Sequence, residues 1–171
     1  MSLTNVDVNI DIFDAINQNN LDVVEGYISE GKDLAVKNAK GITLIAAAAL
    51  NLVATERRTE ASFEDWDDID DDDFADDPDL TQRPLSDFAD ALSENMRTAT
   101  EIGKSLILAG LPLHARIGRT DRSISCKDFV QSRYPEVFKD WLAADQRRKI
   151  TVLVEEEVDM EAKPVAGPRK I

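Results

Sequence analysis

Apolar positions recur at helical spacing from residue 12 onward. Ile12, Phe13 and Ile16 form one set, and Val23, Val24, Tyr27 and Ile28 form a second. The polar run "NQNNLD" separates them. Asn20 is the expected N-cap of a helix opening at Leu21, and Gly31 its expected stop. Residues 11–30 therefore predict two short helices folded as a hairpin. "KNAKG" then reads as a turn, after which Thr43 opens an alanine-rich helix to about Thr55. Its small side chains would admit another helix at close range. "LSDFADALSENMRTATEIGKSLILAG" predicts one long helix, with Phe88, Leu92, Met96, Ile102, Leu106 and Ile107 on its apolar side and a halt at Gly110. Further helices are predicted around Cys126–Gln131 and from Pro135, where proline suits a first helical position. Val137, Phe138, Trp141 and Leu142 mark the apolar face of the last helix, with Trp141 in the core.

This pattern predicts an all-α fold and repeats its own grammar. "NNLDVVEGYISEG" is similar to the closing helix of an ankyrin unit, and "KGITLIAAAA" resembles the G-x-T-P-L-H-x-A-A junction of that family. Gly41, Thr43, Ala48 and Ala49 match it; Leu44 stands for the usual proline and Ala46 for the usual histidine. "SLILAG", "SISCKDFV" and "PEVFKDWLAA" form a weaker echo downstream. The resemblance covers residues 10–55 and 85–148. It implies an ankyrin-like stack of helical hairpins, about three units, with an acidic insertion (residues 56–84) in the middle unit. The domain would span residues 1–150, with 151–171 as a flexible tail. A protein-binding module without catalysis is the implied function.

Charge sharpens the picture. The 171 residues carry 34 acidic and 20 basic side chains, a net charge of −14. Such a chain repels nucleic acid and anionic membranes as a whole and attracts basic proteins. Twelve Asp or Glu fall within residues 60–79. Blocks of like charge are usually solvated loops, yet Phe63, Trp66, Ile69 and Phe74 interrupt this one. Disordered spacers seldom carry aromatics. The candidate partner-binding residues are accordingly Glu64, Asp65, Trp66, Asp67, Asp68, Asp70, Asp71, Asp72, Asp73, Phe74, Asp76 and Asp77. Clustered carboxylates also attract calcium or magnesium. An EF-hand loop would need a turn glycine, and none occurs between Val53 and Gly103. No metal and no cofactor is expected.

The region from His114 to Lys149 is locally basic, with Arg116, Arg119, Arg122, Lys127, Arg133, Lys139, Arg147, Arg148 and Lys149. It is either an ordinary helical surface or a face that docks the acidic stretch. Catalytic chemistry finds little support. P-loop, G-x-G-x-x-G and H-E-x-x-H patterns are missing. The single histidine, His114, is expected on a loop, and the single cysteine, Cys126, in a helix as a small buried hydrophobe. One lone thiol suits a reducing compartment, and the first twenty residues carry Asp7, Asp11 and Asp14 rather than a basic leader. A cytoplasmic location is expected.

The expected function is a non-catalytic module that binds and inhibits a basic partner protein through its acidic surface, as an immunity, anti-defence or nucleic-acid-mimicking inhibitor would. The alternative is an ankyrin-type assembly adaptor that binds through its concave helical face, with the acidic loop only solubilising.

Overall fold

The computed structural model describes residues 11–64, 83–117 and 123–161, with side chains described for 11–62, 87–117 and 123–155. Six helices carry the fold: α1 (Ile12–Asn17), α2 (Leu21–Ser29), α3 (Leu44–Glu64), α4 (Arg83–Leu108), α5 (Cys126–Arg133) and α6 (Pro135–Glu161). A two-residue antiparallel ladder, β1 (Arg116–Ile117) and β2 (Ile124–Ser125), precedes α5.

Side-chain caps set the helix starts. Asp11 accepts from the Phe13 N–H at 3.1 Å to open α1, and Asn20 accepts from the Val23 N–H at 3.3 Å to open α2. Between them Asn19 takes a left-handed φ of 56°, which reverses the chain within three residues. A tight turn then leads into α3. Asn38 Oδ1 accepts from the backbone N–H groups of Lys40 and Ile42, and Gly41 supplies a φ of 75°. That turn delivers Thr43, whose Oγ1 accepts from the Ala46 N–H at 3.4 Å. The ladder plays the same part before α5, where Ser125 accepts from the Asp128 N–H at 3.0 Å.

The helices contact one another in a regular order. α1 packs on α2 and α3; α2 packs on α4; α3 packs on α4 and α5; α4 and α5 both pack on α6. The broadest of these contacts joins α3 to α4. Ala46, Ala47, Ala48 and Ala49 are all buried, so the N-terminal half of α3 meets its neighbours at short range. Leu44, Ile45, Leu52, Ile102, Leu106, Ile107, Val130 and Trp141 fill one continuous core around it. Trp141 is fully enclosed, with its ring against Gly103 and its Nε1–H donating to the Thr100 carbonyl at 3.0 Å.

Three boundaries differ from the expectations. α3 runs to Glu64 rather than about Thr55, and α4 begins at Arg83, so residues 56–64 and 83–84 of the expected insertion are helical. The physical reason is that the extension of α3 is seated by polar side chains, which apolar periodicity does not register. α6 passes residue 150 unbroken and ends at Glu161.

Candidate functional site

Of the twelve candidate partner-binding residues, Glu64 is the last residue of α3. Asp65, Trp66, Asp67, Asp68, Asp70, Asp71, Asp72, Asp73, Phe74, Asp76 and Asp77 lie outside the described residues. What the structure does describe is the root of that stretch, and a polar pocket sits there. It has a volume of about 370 Å³ and is lined by Gln18 and Asn19 from the α1–α2 turn, Thr55, Arg58, Thr59 and Ser62 from α3, and Asn95 from α4.

The pocket is built on one hydrogen-bond network. Asn51, Thr55 and Thr59 recur every fourth residue on α3, and all three are buried. Asn51 Nδ2 donates to Asn19 Oδ1 at 2.6 Å, and Asn19 Nδ2 donates to Thr55 Oγ1 at 3.1 Å. Arg58 spans the network from above. Its Nη2 donates to Asn51 Oδ1 at 3.0 Å and to Thr55 Oγ1 at 3.1 Å, and its Nη1 donates to the Asn17 carbonyl. Asn95 Nδ2 closes the α4 side by donating to Thr59 Oγ1 at 3.1 Å. These contacts tie the α1–α2 turn and α4 to the end of α3 from which the acidic stretch departs. The chemistry on offer is hydrogen bonding by amides, hydroxyls and one guanidinium.

Asn19→Gly keeps the left-handed turn accessible while deleting the amide. It should cost about 1–3 kcal/mol, because Asn51 and Thr55 then lose a partner in a buried setting. Urea denaturation monitored by circular dichroism measures this, and an unchanged midpoint would show that water replaces the amide at no cost.

Four side chains of the basic region, Arg133, Lys139, Arg148 and Lys149, are paired with carboxylates of the body. Arg133 Nη2 lies 3.3 Å from Glu56 Oε2, which also accepts from the Tyr134 hydroxyl at 2.8 Å. That hydroxyl, followed by Arg133, holds the Glu56 carboxyl below its ordinary range despite opposing desolvation. Lys139 pairs with Glu136, and Arg148 and Lys149 both pair with Asp145. Burial pushes Asp145 up, but the two cations outweigh it and its carboxyl titrates lower than usual.

Cys126 is fully buried, and burial pushes its thiol up to about 12, so it packs as a small hydrophobe. His114 is exposed. Among the described residues no group of three His, Cys, Asp or Glu side chains converges as metal ligands. No helix among them is long and apolar enough to cross a membrane. A second hollow, of about 380 Å³, lies between α1, the 38–42 turn and α3, with Asp11, Asp14, Asn38 and Lys40 at its rim.

Asn19, Asn51, Thr55, Arg58 and Asn95 were not among the residues expected to matter. The signal available was the four-residue spacing of Asn51, Thr55 and Thr59, a polar stripe running out of an alanine-rich helix. Compared with protein-family models, curated proteins and solved structures, the chain matches none.

Proposed function

We propose that this chain is a three-unit, ankyrin-type stack that binds a basic protein and blocks it with the acidic surface of residues 64–77, without catalysis. The observation that carries this reading is where the acidic run is spliced. It connects α3 to α4, the two helices in broadest contact, so both of its ends are anchored on the best-packed part of the body. A dense negative charge steers cationic partners toward it.

The order of helix contacts supports the stack. First helices α1, α3 and α5 meet in sequence, as do second helices α2, α4 and α6, which is the nearest-neighbour pattern of a solenoid. Gly41 and Thr43 occupy the junction before α3 as the family motif would have them. The middle pair departs by its length, since α3 and α4 both extend toward the acidic run. Basic nucleases and nucleic-acid-binding proteins are the partner class, because their grooves are built to receive phosphate charge. The adaptor reading would instead use the hollow between α1, the 38–42 turn and α3.

The test is titration calorimetry against a panel of such basic proteins, at low and physiological salt. The full chain is compared with one in which a short Gly/Ser linker replaces residues 65–82. The full chain should bind more weakly as salt rises. The deletion should cost at least about tenfold in affinity and flatten the salt dependence. Affinity and salt dependence that survive the deletion would remove the acidic run from the mechanism and favour the adaptor.

A further inference from the structure

Between residues 150 and 154, α6 carries an apolar face that nothing in the described fold covers. Arg148 ties α6 to the body: its Nη1 donates to the Gly110 carbonyl at 2.9 Å and its Nη2 to Asp145 at 3.0 Å. Beyond it Ile150, Leu153 and Val154 are 63%, 61% and 54% exposed. Apolar side chains grouped in this way mark interaction surfaces rather than ordinary helix exteriors.

The order of residues on that face says what fits it. Positions 147, 150, 154 and 157 follow the alternating three- and four-residue spacing that places them in one row along a helix. The row reads Arg, Ile, Val, Glu. It is symmetric in hydrophobicity about position 152 and antisymmetric in charge. Arg147 is exposed, and its guanidinium makes no ion pair among the described residues, whereas Arg148 and Lys149 are both held by Asp145.

We infer that this face of α6 is a self-association surface, which pairs antiparallel with α6 of a second copy of the chain. A twofold axis at position 152 sets Ile150 against Val154 of the other copy, and the Arg147 position against the Glu157 position. Symmetry makes each of these contacts twice. Parallel pairing would set like charges side by side, so the charge order selects the antiparallel arrangement. The surface is separate from the acidic stretch and does not depend on what that stretch binds.

Sedimentation velocity of the full chain over a range of concentrations tests this. A dimer should appear with rising concentration at low salt. R147E and E157R should each weaken it by about tenfold or more, since each replaces two attractive pairs by two repulsive ones. The double variant R147E/E157R exchanges the charges and should restore it. Replacing Ile150 and Val154 together by serine should give a monomer with an unchanged circular dichroism spectrum. A chain that is monomeric at every concentration overturns the proposal. So does a dimer indifferent to both single reversals, or one that the double variant fails to restore. A monomer that dimerises only after residues 162–171 are removed assigns the face to the chain's own tail, and equally overturns it.

Discussion

Trp141→Ala should destabilise the protein by about 4 kcal/mol, the largest loss expected from any single truncation here. The side chain is fully buried where α6 packs on α4, so removing it opens a cavity in that interface. Its Nε1–H also donates to the Thr100 carbonyl, and that hydrogen bond is lost with the ring. Domains of this size have total stabilities of about 5–15 kcal/mol. The variant should therefore keep only about 1–11 kcal/mol of stability. Urea denaturation followed by circular dichroism gives the midpoint, and a shift worth under about 1 kcal/mol would show that α6 is not held through this residue.

Gly103→Ala should destabilise too, although the same change on an exposed helix face would add about 1 kcal/mol of stability through helix propensity. The sign of the effect is thus diagnostic. A Cβ at position 103 would lie 1.9 Å from Trp141 Cζ2 and 2.2 Å from Cε2. The indole cannot swing aside without giving up its hydrogen bond to Thr100, one turn earlier on the same helix. α4 and α6 must separate instead, and overpacking of this kind costs about 1–3 kcal/mol or more. The clash predicts coupling. In a Trp141→Leu background the smaller side chain leaves room, so Gly103→Ala should lose most of its cost. Equal costs in the two backgrounds would place the strain elsewhere.

Much of this was legible along the chain. The cap at Asn20, the stop at Gly31, the turn before Thr43 and the halt at Gly110 are local events, decided within a few residues of the backbone groups they satisfy. The burial of Ile16, Leu106 and Trp141 followed from spacing alone, because a helix presents every third or fourth residue to one side. The far half of α3 was not legible. Apolar periodicity fades after Thr55, and residues 56–64 look like the start of a polar linker. They are helical because Thr55, Arg58 and Thr59 find partners in Asn19, Asn17 and Asn95, residues far away in sequence. Gly103 likewise looks like a weak point in a helix until Trp141 is seen to lie against it.

The amino-acid order by itself determined the helical class, the positions of the turns and the segregation of negative charge into one stretch, since each depends on near neighbours or on composition. Tertiary structure decided three things. It chose which polar side chains become buried partners, it set Gly103 of α4 against Trp141, and among the described residues it left Ile150, Leu153 and Val154 of α6 without a cover. Each of these depends on which segments meet across the fold, and contact between distant segments is a property of packing that no local pattern encodes.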